Sequence, residues 1–265
     1  MKPKILVLSG YGLNCEEETA YAFTIAGGNT EIIHINDLIK NKGKLSSSQI
    51  LVFPGGFSYG DDTGSGNAYA LKVKNHLWDQ ITSFVTSDHL ILGVCNGFQI
   101  LTRLGLLPGL KKKYGTQQVA LLPNENGRYT TRWVDLKITS DSPWTLGLEK
   151  ISMPIAHGEG KFYADIETLE ELKKKNMIGF QYIHGEVCEK FNFDKNPNGS
   201  ILDIAGITNE TGKILGLMPH PERSIFFSQL PDYFSQRESL TRDGKKIPKF
   251  TQSLQLFTNA IAYFH

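Results

Sequence analysis

One of the three cysteines in the sequence lies between two glycines, Gly93 and Gly97, where an apolar run meets a segment with helical spacing. Residues 90–94 predict a strand and residues 98–104 a helix, so Cys95 takes the nucleophile position of a Gly-x-Cys-x-Gly turn. The positive end of the following helix would favour the thiolate. The alternative is a small buried hydrophobe, but the two glycines and this context favour a nucleophile.

A cysteine nucleophile needs a base that is near in space but not in sequence. Of the seven histidines, His220 is the best candidate, because it follows an apolar run and stands between Pro219 and Pro221, which restrict the backbone. In an extended segment Glu222 would emerge on the same side as His220 and could fix its tautomer. Taken alone, His-x-Glu is a weak signal, and Glu222 could instead form a surface ion pair with Arg223.

The glycine-rich segment 54–61 follows a predicted strand but lacks the Gly-Lys-Ser/Thr of a phosphate loop. We interpret it as exposed backbone facing a reaction site, with Gly55, Gly56 and the adjoining Phe57 as oxyanion or substrate-binding residues. The backbone N–H of Asn96 would supply the second oxyanion donor. The simpler alternative is a tight turn that ends the strand.

His157 and Glu159 lie in an unusual run of small residues, 156–160. This segment could contact substrate, line an ammonia path or meet a partner, and it could equally be a structural turn. The sequence alone does not decide between these interpretations.

The elements that must position these residues follow two patterns. In the first hundred residues, continuous apolar strands alternate with helices, which is typical of a parallel sheet covered on both faces. Later, alternation at 134–138 and a hairpin pattern at 203–218 predict antiparallel strands. We interpret 184–200 and 231–249 as loops or insertions, and apolar spacing from 254 to 264 predicts a terminal helix. The prediction is one domain over 1–265, with an insertion loop at 231–250 and a C-terminal helix at 251–264.

Composition narrows the class of protein. The formal net charge is +1, which gives no electrostatic footprint for nucleic acid or anionic lipid. Cys15 and Cys188 lack the setting of Cys95, and we interpret them as inert or surface residues; no Cys-x-x-Cys pair suggests a metal. The N-terminus has too short an apolar run for a signal peptide, and no stretch approaches a spanning helix. These features predict a protein of the reducing cytoplasm.

Six segments together resemble a known family. Three of them resemble the class I, or triad, glutamine amidotransferases, namely 54–61, 93–101 and 218–223. Three more resemble the branch formed by the glutaminase subunits of phosphoribosylformylglycinamidine synthases, in purine biosynthesis, namely 14–16, 156–160 and 198–207. The resemblance runs from about residue 5 to residue 223 in the right order.

The resemblance implies a flavodoxin-like α/β fold and a glutaminase mechanism. Cys95 would attack the glutamine carboxamide, His220 would take and return protons, and Glu222 would orient His220. The amides of Gly56 and Asn96 would hold the oxyanion, and Gln99 would lie near the bound glutamine. Ammonia would pass to a separate synthase subunit carrying ATP and Mg²⁺, often with a small third subunit bound, and this chain would hold no cofactor.

Three segments depart from the family pattern, although none touches the proposed triad. They are a longer first loop at 9–13, an altered loop at 62–66 that lacks the usual Arg, and the polar insert at 231–249. Two alternatives stay open from the sequence. The chain could be a glutaminase that serves another acceptor, or a scaffold that kept the fold without turnover.

Overall fold

The computed structural model describes residues 2–265. In the first half the elements in chain order are β1 (Lys4–Ser9), α1 (Glu16–Ile25), β2 (Asn29–His34), α2 (Ile35–Lys40), α3 (Gly43–Ser46), β3 (Ile50–Phe53), α4 (Asn67–Thr86), β4 (Leu90–Val94) and α5 (Asn96–Arg103). The second half contains β5 (Ala120–Leu122), β6 (Thr130–Ile138), β7 (Lys150–His157), β8 (Lys161–Tyr163), α6 (Ile166–Lys174), β9 (Ile178–Ile183), α7 (Glu186–Phe191), β10 (Ile204–Thr208), β11 (Ile214–Leu217), α8 (Tyr233–Arg242) and α9 (Ser253–Ala262).

A nine-stranded sheet forms the centre of the fold, in the order β2-β1-β3-β4-β11-β10-β9-β6-β7. The first five of these strands are parallel, and their order is that of a flavodoxin-like doubly wound sheet. From β11 onward the pairings are antiparallel. This arrangement confirms the predicted α/β fold class, including the antiparallel strands of the second half.

Burial explains why the central strands carry continuous apolar sequence. Every residue of β3 and of β4 is buried, because helices cover both faces of the parallel half. In contrast, β7 alternates between buried and more exposed residues and contains Pro154. A strand proline is tolerated at a sheet edge, where one ladder hydrogen bond is dispensable, and β7 is the last strand in the sheet.

Two polar segments interpreted as loops from the sequence contain helices. The segment 184–200 includes α7, whose residues Val187 and Cys188 are buried. The segment 231–249 includes α8, which buries none of its residues and carries an exposed Glu238–Arg242 pair at 2.9 Å. A helix without an apolar face gives no periodic signal in the sequence, so the loop interpretation of α8 was wrong for that reason.

The terminal helix predicted at 251–264 is α9, which packs on α1 through an edge-to-face contact of Phe23 and Phe257. The prediction of a single domain over the whole chain stays a prediction. Among residues 2–265, none of the helices combines the length and the apolar character that crossing a membrane requires.

Candidate active site

Cys95 lies at the carboxyl end of the central strand β4, at the turn into α5. It is 4% exposed, and its backbone has φ +50° and ψ −105°. A positive φ in a residue other than glycine costs energy and is retained where the surrounding structure forces it, often at reactive positions. The strand–turn–helix predicted around Cys95 is therefore present, with the thiol above the edge of the sheet where α/β folds bind ligands.

The glycines on either side of Cys95 are required by the packing. A Cβ on Gly93 would lie 2.5 Å from Leu101 Cδ1, and a Cβ on Gly97 would lie 1.8 Å from the carbonyl oxygen of Phe53. Neither separation is compatible with non-bonded atoms. The two glycines let the turn pass close to β3 and α5.

His220 and Glu222 are buried together just beyond the end of β11, the strand next to β4. Nδ1 of His220 and Oε1 of Glu222 are 2.5 Å apart. The expected contact is present, but the expected extended segment is not. Residues Pro221–Arg223 form a 3-10 turn, and this turn carries the Glu222 carboxylate back to the ring.

The electrostatics of the pair favour a charged imidazole. Burial disfavours the imidazolium, but the negative charges of Glu222 and Cys95 outweigh burial and hold the pKa of His220 well above its usual range. Within residues 2–265, Nε2 of His220 is buried and has no hydrogen-bond partner. Since Nδ1 is held by Glu222, Nε2 is the ring nitrogen left available for a further hydrogen bond or proton transfer.

The predicted oxyanion donors lie on two sides of the thiol. Asn96 is the first residue of α5, so its backbone N–H has no acceptor within the helix. Gly56 lines the same cavity as Cys95 and has φ +148°, and a Cβ there would lie 2.5 Å from the carbonyl oxygen of Gly12. The N–H of Phe57 donates to that same Gly12 oxygen at 2.8 Å. Phe57 therefore contributes its half-exposed ring to the site and not its amide.

The first loop anchors the oxyanion segment. The N–H groups of Asn14 and Cys15 both donate to the carbonyl oxygen of Gly55, at 3.1 and 3.2 Å. Cys15 is 1% exposed, and Arg223 Nη2 donates to its Sγ at 2.9 Å. Burial raises the pKa of the Cys15 thiol. Cys15 and Cys188 are both buried, so the interpretation of them as surface residues was wrong. Cys15 also lies next to His220.

The ligand atoms of Cys15, His220 and Glu222 lie within 4.8 Å of one another, a spacing that a metal ion could use. His220 and Glu222 are already hydrogen-bonded, however, and the Arg223 guanidinium contacts the Cys15 sulfur. A cation bound there would face the guanidinium charge. We therefore interpret Cys15 and Glu222 as contacts that hold the His220 ring in place, and not as metal ligands.

His157 ends strand β7 and is buried, so it does not belong to a small-residue loop as its sequence neighbours suggested. Its Nδ1 donates to Oδ1 of Asn124 at 3.0 Å, and the Asn124 amide donates to the His157 carbonyl oxygen at 2.8 Å. Burial lowers the pKa of His157 to about 3. Asn124 was missed from the sequence, because an asparagine in a polar loop gives no signal of a partner 33 residues away.

A cavity of about 150 Å³ opens beside Cys95, and Gln99, His157 and Glu159 line it together with the oxyanion segment. Gln99 Nε2 donates to the carbonyl oxygen of Glu159 at 2.6 Å. The exposed rings of Phe57 and Tyr129, 5.8 Å apart between centroids, lie at its rim. The structure thus brings together the residues selected from the sequence: Cys95 lines the cavity, and the buried His220–Glu222 pair lies close to Cys95 without lining the cavity.

Comparison with known proteins identifies the family of this chain. The profile of CobB/CobQ-like glutamine amidotransferase domains matches residues 2–264. The phosphoribosylformylglycinamidine synthase subunit PurQ of Methanococcus maripaludis strain S2 is 51% identical over 267 residues, covering 99% of this chain and 98% of that protein. The subunit of the same name from Dehalococcoides mccartyi is 40% identical, with 99% and 98% covered. In the solved structure of PurLQS from Thermotoga maritima, a chain matches with a TM-score of 0.72 and 29% identity over the full length of both chains. This chain belongs to the CobB/CobQ-like glutamine amidotransferase family.

Proposed function

We propose that this chain is the glutaminase subunit of a phosphoribosylformylglycinamidine synthase. It hydrolyses glutamine to glutamate and ammonia and passes the ammonia to a synthase subunit that makes formylglycinamidine ribonucleotide in purine biosynthesis. The observation that carries the proposal is the buried His220–Glu222 pair beside Cys95, in a chain 51% identical to a subunit of that synthase over nearly its whole length.

The geometry supports the following division of roles. Cys95 attacks the carboxamide carbon as a thiolate, stabilised by the adjacent imidazolium and by the N-terminus of α5. The N–H groups of Gly56 and Asn96 face the oxygen that becomes negative. His220 donates its proton to the departing ammonia through Nε2, leaving a glutamyl thioester on Cys95.

The second half-reaction uses the same groups in reverse. His220, now neutral, takes a proton from water, which attacks the thioester carbon, and the Cys95 sulfur leaves with the electron pair. Glu222 keeps the ring in one tautomer and stabilises its charge during both steps. Glutamate is released and the thiolate–imidazolium pair is restored.

Location and cofactors belong to the same proposal. We place the chain in the cytoplasm, because its three cysteines are all free thiols. We place ATP and Mg²⁺ on the synthase subunit, because every catalytic role above is assigned to a side chain or amide of this chain.

The test separates ammonia production from ammonia use. In the complex reconstituted with its synthase subunit, Cys95→Ala should abolish glutamine-dependent synthesis of the amidine and spare synthesis from added ammonium salt. Cys188→Ala is the matched control, since Cys188 is also buried but contacts the Ile183 carbonyl oxygen and does not line the cavity. Equal loss of both activities in Cys95→Ala would refute the division of labour. Glutamate release without any amidine formation would point to another acceptor.

A further inference from the structure

The first loop, residues 9–13 between β1 and α1, runs alongside the oxyanion segment. Leu13 and Gly56 face each other there in an antiparallel bridge. The hydrogen bonds that flank this pair run from the Phe57 N–H to the Gly12 oxygen and from the Asn14 N–H to the Gly55 oxygen, at 2.8 and 3.1 Å. The first loop and the oxyanion segment therefore form a short two-stranded ladder.

The register of this ladder fixes the direction of the Gly56 N–H. In an antiparallel pair that is flanked by hydrogen bonds in this way, the two facing residues do not bond to each other, and their own N–H groups point away from the opposite strand. Gly56 also lines the cavity beside Cys95. The Gly56 N–H is therefore turned away from the first loop, and the position of the first loop determines where this donor lies.

Tyr11 holds the tip of the first loop against the oxyanion segment. Its ring stacks on the ring of Tyr59, with the centroids 4.6 Å apart and the planes at 11°. The carbonyl oxygen of Tyr11 accepts from the N–H of Tyr59 at 2.6 Å. Both tyrosines have a left-handed backbone, with φ of +56° and +54°. Because a bulky residue adopts that conformation only at a cost, the stacked rings and the backbone hydrogen bond must offset it.

Neighbouring elements of the α/β core fix the Tyr11 side chain. Asn36 Nδ2, in α2, donates to the Tyr11 hydroxyl at 2.8 Å. The ring of His34, at the end of β2, lies 5.3 Å from the Tyr11 ring between centroids. The Lys72 ammonium group, on α4, lies 4.9 Å from the centroid of the same ring, within the range of a cation–π contact. Tyr11 thus connects three core elements to the oxyanion segment.

We propose that Tyr11 is a positioning residue that sets the location of the oxyanion donor, the N–H of Gly56. The proposal rests on the proposed function, because this donor acts only when Cys95 attacks the carboxamide. Without the Tyr11 ring, the first loop and the oxyanion segment shift together, and the Gly56 N–H is misplaced. Cys95 is on β4 and α5, outside this ladder, so its thiol stays in place. The longer first loop thereby has a chemical role.

The test measures glutamate release from glutamine in the complex reconstituted with the synthase subunit. Tyr11→Ala should lower kcat roughly tenfold to hundredfold, the range for a misplaced group at a reaction centre. KM should stay within about twofold, because the Gly56 donor acts in the transition state. Tyr11→Phe keeps the stacked ring and loses only the bond from Asn36, so its kcat should stay within about twofold of the native value. Tyr21→Ala is the matched control, since Tyr21 is an exposed tyrosine of α1 that does not line the cavity.

A second measurement separates a misplaced donor from a general loosening of the site. Iodoacetamide alkylates the Cys95 thiolate at a saturated carbon, with iodide as the leaving group, so no oxyanion develops. Tyr11→Ala should therefore leave the rate of Cys95 alkylation, followed by the mass of its peptide, within about twofold of the native rate.

The outcomes distinguish the possible failures. A native complex that releases no glutamate refutes the proposed function, and the role of Tyr11 with it. If the native complex is active, a kcat of Tyr11→Ala within about twofold of the native value refutes the positioning role alone. Alkylation of Cys95 that slows by the same factor as kcat, or a raised KM with unchanged kcat, refutes it as well. If Tyr11→Ala does not fold, Tyr11→Leu, which keeps apolar bulk without a stacking face, is judged by the same criteria.

Discussion

Acidification should destabilise this protein through His157 in particular. His157 is buried, donates through Nδ1 to Asn124 and has a pKa lowered to about 3 from an ordinary value of 6.5. In the unfolded chain the imidazole gains a proton below pH 6.5, while in the folded chain it stays neutral until far lower pH. A proton taken up by the unfolded state alone favours unfolding.

The sign and size of the pH effect on the free energy of unfolding follow from the pKa values of His157 in the folded and unfolded states. The folded pKa of His157 is depressed, so its stabilising contribution is present above pH 6.5 and is lost progressively as pH falls towards 3. Between pH 7 and pH 5 the loss is about 2 kcal/mol. His220 has the opposite sign, because its pKa is raised. The stabilising contribution of His220 is present below pH 6.5 and is lost as pH rises through the pKa of His220 in the folded state. This contribution is the same in the native protein and in the two variants compared with it below.

The perturbation is His157→Asn, which keeps a donor for Asn124 but cannot titrate. Urea unfolding at pH 7 and pH 5 should show the native protein losing about 2 kcal/mol more than the variant between the two pH values. His184→Gln, at an exposed histidine, is the control and should lose as much as the native protein. Equal losses in the native protein and His157→Asn would refute the reasoning. So would a His157 ring resonance that titrates between pH 5 and pH 8 in the folded state.

Two further substitutions test the turn around Cys95 and the His220–Glu222 pair. Gly97→Ala should cost about 3 kcal/mol in urea unfolding, because its Cβ would lie 1.8 Å from the Phe53 carbonyl oxygen. Gly43→Ala is the control and should be nearly neutral, because its Cβ would meet only Asn41 Oδ1, at an ordinary contact distance of 3.7 Å; equal effects would contradict the packing argument. Glu222→Gln removes a negative charge that raises the pKa of His220, so the imidazolium is less populated at neutral pH. Its kcat for glutamine should fall about a hundredfold or more, and a value within about twofold of the native enzyme would show that the carboxylate is dispensable.

The parts of the site that sequence could predict are those whose requirements are local. Gly93 is needed by contacts within its own strand–turn–helix, and Gly97, whose close contact is the Phe53 carbonyl oxygen on β3, belongs to the same short Gly-x-Cys-x-Gly pattern. His220 and Glu222, which are hydrogen-bonded to each other, are only two positions apart. The parallel half of the sheet was predictable for a similar reason, because each strand is buried on both faces and reads as a continuous apolar run.

The features that were not predicted from the sequence depend on contacts with residues far away in the chain, or belong to elements without a periodic apolar pattern. The partner of Cys15 is Arg223, 208 residues away, so nothing near Cys15 in the sequence signals that it lies against His220. The strand β7 contains Pro154, which argues against a strand unless its position at the sheet edge is known. The helix α8 buries no residue, so it has no apolar face to detect.

Cys95 and His220, the proposed nucleophile and base, follow adjacent strands in the middle of the sheet, and this limits how a partner could alter their spacing. Val94 and Leu217 are paired in the ladder between β4 and β11, and the N–H of Cys95 donates to the Leu217 carbonyl oxygen at 2.8 Å. Amides at the centre of a sheet exchange with solvent only when most of the domain opens. The separation between the Cys95 thiol and the His220 imidazole is therefore maintained as long as the sheet stays folded. A partner that altered the cavity without disrupting the sheet would act on wall residues outside the strands, such as Gly56, Gly158 and Glu159.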